Sequence, residues 1–407
     1  MEITTRPIAE DESVRFREAI MFGFGDDLDD EKFPPERFAD LVPLDRTVAA
    51  FDADEIVGTL GAFPFEITVP GGRTVAMPGT TFVTVMPTHR RRGVLTAMMR
   101  DHLADTIARD EPLAGLWASE SLIYGRYGFG VATEHEDVEI DQVRVSVEGE
   151  QGTVRLVGGD EAREVFPAPY DAVRRRTPGM LGRDSTWWRI ETFFDPEKHR
   201  DGFTSQRYLL HETEGVPDGY AIYRQKGDWS DGFPNGTVKV QEVVTASMMA
   251  HTGIWRFLTS IDLYPNIRYW NLPVDDAIRW KIPDHRRIVR KRWDALYLRI
   301  LDVARALEGR SYETDGTLRF ALDDPFLPDV GGSFELAVTG GTGSCRRIDA
   351  SRVDVTLGAP ELASLYLGGG STHAMARAGL LRGDAASIGL LGRIFRGDVA
   401  PWCQEVF

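Results

Sequence analysis

Hydrophobic and strand-forming residues cluster in two runs between residues 46 and 69, RTVAAFDADEIVGTLGAFPFEITV, and Asp52, Ala53 and Asp54 break them. Two β-rich runs joined by such a break predict a hairpin. A third strand is predicted over residues 81–87, TFVTVMP. At Gly93 the period changes from 2 to 3.6, and Leu95, Met98, Met99, Leu103 and Ile107 fall on one face of the predicted helix. Residues 89–99, HRRRGVLTAMM, therefore sit at a strand-to-helix junction. Another strand is predicted over residues 113–119, followed by the turn-rich aromatic segment SLIYGRYGFG.

The same order returns further along. Residues 208–223, YLLHETEGVPDGYAIY, form a hairpin-like pair, and VKVQEVVTA leads into an amphipathic run through Met249, Ile254, Phe257, Leu258 and Ile261. The junction here reads TASMMAHTGIW, with nothing like RRRG, so the repeat is expected to keep the scaffold without the basic site. From Leu301 the texture changes. ARALEGRSY reads as a helix, LRFALDD and SFELAVTG as strands, PELASLYLGG as a helix with a glycine stop, and ASIGLLGRIF as a helix, an α+β tail. The expected segments are residues 1–150, 151–297 and 298–407.

A chain of 407 residues exceeds what one core usually supports, which agrees with this division. No apolar stretch approaches the roughly 20 residues that cross a bilayer, so no membrane association is expected. The start, MEITTRPIAEDESVRF, is acidic where a signal peptide needs an apolar core, and the expected location is cytoplasmic. Cys345 and Cys403 fit a reducing compartment. His89, His102, His135, His199, His211, His251, His285 and His373 make no HExxH or HxH pair, so no metal is expected.

With 47 Lys and Arg against 63 Asp and Glu, the net charge of −16 disfavours nucleic acid and favours cationic small molecules. The strongest contrary signal, HRRIVRKRW at residues 285–293, alternates with Ile288, Val289 and Trp293 as a strand with a charged face would. Against this acidic background the knot of Arg90, Arg91 and Arg92 stands out. A helix start presents unpaired N–H groups and about half a positive charge, Gly93 permits close backbone approach, and the arginines add charge. A pyrophosphate is the natural guest, although neither GxxxxGK[ST] nor GxGxxG is present.

The run VTVMPTHRRRGVL, residues 83–95, resembles the acetyl-CoA signature R/Q-x-x-G-x-G/A of the GCN5-related N-acetyltransferases (GNAT). Arg90, Gly93 and Leu95 occupy its places, with leucine where the pattern ends in glycine or alanine. The resemblance implies that the anion is the pyrophosphate of acetyl-CoA. It assigns the coenzyme site to Val83, Thr84 and Val85 along the pantetheine arm, to Arg90, Arg91, Arg92, Gly93, Val94, Leu95 and Thr96 at the loop and helix start, and to Ser119 and Glu120. The segment with Tyr124, Arg126, Gly128 and Phe129 resembles the family's Y-x-R-x-G-F, which makes Tyr124 the general acid for the departing thiolate.

Taken with WASES at 117–121, IYGRYGFG after it, LYLGG at 365–369 and the ending APWCQEVF, the whole chain resembles the Eis-type aminoglycoside N-acetyltransferases. That implies an α+β architecture: tandem GNAT folds, the second degenerate, then a sterol-carrier-protein-like domain. It also implies acetyl-CoA as co-substrate, a homohexamer, and an acceptor that is an aminoglycoside or similar polycation. The Phe407 carboxylate would be the general base, and Phe24, Asp26, Phe82 and Glu405 would contact the acceptor. Direct attack needs no protein nucleophile, so Cys403 is expected to pack rather than react. Two alternatives stay open: a protein lysine or polyamine acetyltransferase, and a non-catalytic lipid-binding or scaffold protein.

Overall fold

The computed structural model describes residues 3–141, 147–150, 152–349 and 352–407. The first half contains β1 (Ile3–Arg6), β2 (Thr47–Asp52), β3 (Glu55–Thr68), β4 (Thr74–Val85), β5 (Leu113–Trp117) and β6 (Gly130–Val131). The hairpin expected at residues 52–54 is present, with Ala53 at a φ of 52° and Asp52 paired with Glu55. β4 begins earlier than the pattern indicated, at Thr74, because its first half continues the ladder with β3.

The helix Val94–Ala108 follows the arginine knot. It buries Val94, Met98, Met99, His102, Leu103 and Thr106, while Ile107 is 44% exposed. The expected stripe is thus rotated, because a hydrogen bond of 2.8 Å between His102 and the Thr80 hydroxyl lets an imidazole take a core position.

The second half supplies β7 (Glu134–Asp141), β8 (Thr153–Val157), β9 (Arg207–Thr213), β10 (Val216–Lys226), a small ribbon of β11 (Trp229–Ser230) and β12 (Phe233–Pro234), then β13 (Thr237–Thr245), β14 (Asn266–Pro273), β15 (Ile288–Asp294) and β16 (Leu296–Ile300). Two seven-stranded sheets result, in the orders β1-β2-β3-β4-β5-β16-β6 and β15-β7-β14-β13-β10-β9-β8. Sheets and chain order therefore do not coincide. β7 lies in the second sheet though it precedes residue 150, and β16 returns to fill the gap between β5 and β6. The crossing at Ala295 is buried and held by the Thr133 carbonyl and hydroxyl, so the two halves close each other's sheets. The expected boundary residue 151 lies outside the described residues.

The tail adds β17 (Gly316–Asp323), β18 (Gly332–Thr339), β19 (Thr342–Arg347), β20 (Val355–Gly358) and β21 (Leu381–Gly383) in the order β19-β18-β17-β20-β21. Its helix Ala359–Tyr366 packs on β16 and β6. Gly130 permits this approach, since a Cβ there would lie 1.9 Å from the Pro360 carbonyl oxygen. Beyond the helix Ala385–Phe395 the chain runs back between the two halves. The Trp402 amide donates to Pro178 O at 2.8 Å, its indole N–H donates to Asn271 Oδ1 at 3.1 Å, and the Asn271 amide donates to the carbonyls of Cys403 and Gln404. Among the described residues no helix is long and apolar enough to cross a membrane.

Candidate active site

The site grows from an irregularity in β4. Its register against β3 slips between Thr59 and Gly61, and Phe82, opposite the slip, takes a φ of 55°. The Thr59 hydroxyl holds the kink, donating to the Phe82 carbonyl at 2.7 Å and lying 2.8 Å from the Thr84 hydroxyl. A bulge of this kind re-aims side chains and interrupts pairing. Here it separates two cavities: Thr81 and Phe82 face a pocket of about 640 Å³, while Val83, Thr84 and Val85 line a cleft of about 820 Å³. The helix Ser13–Phe24 lies over the bulge, and Gly23 is what lets it, since a Cβ there would stand 2.4 Å from the Thr84 Cβ. Phe24 then lines both cavities.

Nearly all the residues expected at the coenzyme meet in the cleft. Arg90, Arg91, Gly93, Val94, Leu95 and Thr96 line it from the loop and helix start, and Ser119 and Glu120 from beyond β5. Arg92, expected there too, is not among its walls. The turn places Arg91 at a φ of 63° and Gly93 at 83°, so consecutive side chains leave in different directions. Arg90 is anchored by its Nε, which donates to the Val85 carbonyl at 3.1 Å. Gly93 caps the helix without any side-chain acceptor, leaving first-turn amides open to an anion.

In the second half the equivalent helix, Met248–Leu258, is closed off. The Ser247 hydroxyl accepts from the Ala250 amide and donates to Asp218 at 2.6 Å, so a carboxylate stands near the helix start. That arrangement would repel a phosphate, and it agrees with the missing arginines.

Tyr124 ends the short helix Ser121–Tyr124 and lines the cleft. It is 5% exposed, with its ring edge-on to Phe129 at 6.1 Å. Burial pushes its phenol up to about 12, with Tyr127 and Glu120 adding to the rise, so the proton is held at neutral pH.

The pocket beyond the bulge gathers Phe24, Asp26, Phe82 and Phe407, four of the expected residues. The Phe407 ring lies 5.1 Å from Phe65 and 6.3 Å from Phe63. It sits over Gly79, where a Cβ would come within 2.8 Å of the ring. Glu405 is a correction: it does not line the pocket but is buried beneath it, ion-paired with Arg183 and accepting from the Trp187 indole N–H at 2.8 Å. A carboxylate that close to the end of the tail finds its partner in the second half of the chain, which local sequence does not reveal. The same second half supplies pocket walls that sequence reasoning missed, Trp187, Glu191, Lys198, His199 and Asp201, along with Lys32 and Arg37 from the first. Cys403 is fully buried and its thiol is pushed up chiefly by that burial, which keeps it out of nucleophilic chemistry.

Comparison with known proteins agrees with this geometry. Acetyltransferase (GNAT) domain families match residues 4–132 and 179–300, and a sterol carrier protein domain matches residues 303–404. The chain is therefore an N-acetyltransferase built of two GNAT folds and a sterol-carrier-like domain. A protein of Streptomyces avermitilis described only as an uncharacterized N-acetyltransferase is 37% identical, over 91% of this chain and 92% of its own. N-acetyltransferase Eis of Mycobacterium bovis is 33% identical, over 88% and 89%. The solved structure of Eis1 from Mycobacterium abscessus superposes with a TM-score of 0.87 at 26% identity, covering 99% of this chain and all of that one. The chain belongs to the Eis N-acetyltransferase family.

Proposed function

We propose that the protein carries the acetyl group of acetyl-CoA to the amine of a small acceptor, with the coenzyme in the cleft of about 820 Å³ and the acceptor in the adjoining pocket. The observation that carries the proposal is the β4 bulge, which sets an anion-seeking helix start and a buried phenol on one side and an aromatic pocket on the other, with Phe24 common to both. The open amides at Gly93, with Arg90 and Arg91, would hold the pyrophosphate. Val83 to Val85 would offer backbone groups on the side of β4 away from β3, since past the bulge Thr84 and Val85 pair again with β3 while β4 meets β5 at Gly79.

The acceptor nitrogen forms its bond to the acetyl carbonyl carbon, the carbon–sulfur bond breaks, and Tyr124 gives its phenol proton to the departing thiolate. The amine gives up a proton in the same reaction. In this proposal the Phe407 carboxylate receives it, a reading supported by the place of Phe407 among the walls of the acceptor pocket. The aminoglycoside acceptor rests on the resemblance to the family alone. Calorimetry with acetyl-CoA, and thiol release in the presence of amines, tests the reading. Binding without thiol release from any amine would refute it.

A further inference from the structure

The tail domain approaches the coenzyme cleft at a place far along the chain from Phe407. Between β17 and β18, residues 324–327 lie against the end of β16 and the turn that follows Tyr124. The Asp324 carboxylate pairs with Arg299 of β16, and neither side chain has any exposure. Asp324 also accepts from the Leu327 amide at 3.0 Å, which fixes the segment. Arg299 has no second carboxylate among the described residues, and its Nε and Nη1 find no acceptor there. Its charge is therefore balanced by Asp324 alone.

The turn that carries Tyr124 rests on this guanidinium. Gly128 takes a φ of 85°, and a Cβ there would lie 2.4 Å from Arg299 Nη1 and 2.6 Å from its Cζ, so only glycine fits. The Gly128 amide donates to the Gly125 carbonyl at 3.0 Å and the Phe129 amide to the Tyr124 carbonyl at 3.3 Å, which closes the turn. Phe326 supports it from a second side. Its ring meets Tyr127 edge to face at 5.0 Å, and the Arg100 guanidinium lies 5.7 Å from its centre. Tyr127 lines the cleft, and its hydroxyl stands 3.2 Å from that of Thr96 in the first turn of the helix Val94–Ala108. Phe326 and Leu327 both pack on the apolar cluster that contains Tyr124, Tyr127 and Phe129.

A general acid serves only an atom within hydrogen-bond reach, and a displacement of about 1 Å can cost about 10² in rate. Resting on the acetyltransferase reading above, we infer that residues 324–327 of the tail are a positioning element for acetyl transfer: Asp324 acting through Arg299, and Phe326 acting through Tyr127, hold the turn that aims the Tyr124 phenol at the departing thiolate. Neither Asp324 nor Phe326 lines the cleft or the acceptor pocket, so both act through the residues that they hold.

The test uses the full chain, with thiol detection for kcat and calorimetry for acetyl-CoA affinity. The amine is whichever of 2-phenylethylamine, spermidine and an aminoglycoside the wild type uses fastest. Phe326→Ala should lower kcat by about 10- to 100-fold while the acetyl-CoA dissociation constant stays within about threefold. Phe326→Tyr keeps the ring and should retain most of the wild-type kcat. Hydrogen exchange at residues 124–129 should rise in Phe326→Ala. Asp324→Asn should lower kcat at least as far, but it strands a buried cation and can fail to fold, so the decision rests with Phe326. Near-wild-type kcat in Phe326→Ala, a loss of coenzyme affinity in proportion to kcat, or an equal loss in Phe326→Tyr overturns the inference while leaving acetyl transfer established. Thiol release from none of the three amines with wild type overturns the acetyltransferase reading, and the inference with it.

Discussion

The most informative perturbation away from the reacting groups is Arg183→Met. Arg183 is buried with a side-chain exposure of 2%, between Glu242 at 7% and Glu405 at 8%. It donates to Glu242 at 2.8 and 2.9 Å, and its guanidinium lies 4.0 Å over the ring of Tyr170. Glu405 is pinned there, and two residues further on Phe407 walls the acceptor pocket. Removing the cation leaves two buried carboxylates facing each other, which typically costs about 3–5 kcal/mol. The cheapest relief is a proton on Glu405, which burial already pushes above its usual value of 4.5. Taking that proton up at pH 7, roughly 2.5 pH units above 4.5, costs about 1.4 kcal/mol per unit, or about 3.5 kcal/mol, and at pH 5 less than about 1 kcal/mol.

The sign follows. In the variant a folded-state carboxyl is raised above its unfolded value, so its share of stability is present at low pH and is lost as pH rises. The gap between wild type and variant should therefore open between pH 5 and pH 8 in chemical denaturation. Hydrogen exchange at residues 402–407 should rise, and acceptor turnover should fall, while acetyl-CoA affinity stays within about twofold because no cleft wall is touched. A variant with a pH-independent stability loss and wild-type turnover would refute the tail clamp.

Replacing Arg90 and Arg91 together by alanine should weaken acetyl-CoA binding by at least tenfold in calorimetry, at roughly 1.5–3 kcal/mol per charge-assisted contact; Arg92→Ala should do much less, because Arg92 is not among the cleft walls. One glycine appended after Phe407 should cut turnover by about 10²–10⁴ with acetyl-CoA binding retained, and a near-normal rate would exclude the Phe407 carboxylate as base. His102, fully buried, is lowered to about 4 by desolvation, so its contribution to stability is present above pH 6.5 and is lost as pH falls toward 4, by about 3 kcal/mol. His102→Gln should flatten that acid limb, and an unchanged limb would assign it elsewhere.

What was legible in the sequence was local. The RRRG junction, the hairpin at residues 52–54 and the SLIYGRYGFG segment each carry their chemistry within a dozen residues, and the cleft that they form contains nearly every residue expected of it. The acceptor pocket was read less completely, because its walls come from chain segments more than a hundred residues apart. Trp187 and Glu191 have no local pattern that sets them against Phe63 or Arg37. Glu405 looked like a free acid beside the chain end, and only the burial of Arg183 explains why it points the other way. The exchange of β7 and β16 was illegible for the same reason, since strand pairing between sheets leaves no period in the sequence.

The central claim is that acetyl passes from coenzyme to amine beside the Tyr124 phenol. The most direct measurement is the mass of the acceptor after incubation with acetyl-CoA and either wild type or Tyr124→Phe, a variant that keeps the ring and loses only the proton. The account predicts one acetyl group on the amine nitrogen with wild type and a rate lower by about 10²–10⁴ with the variant, at unchanged acetyl-CoA affinity. An unacetylated acceptor with wild type, or equal rates from the two proteins, would contradict it.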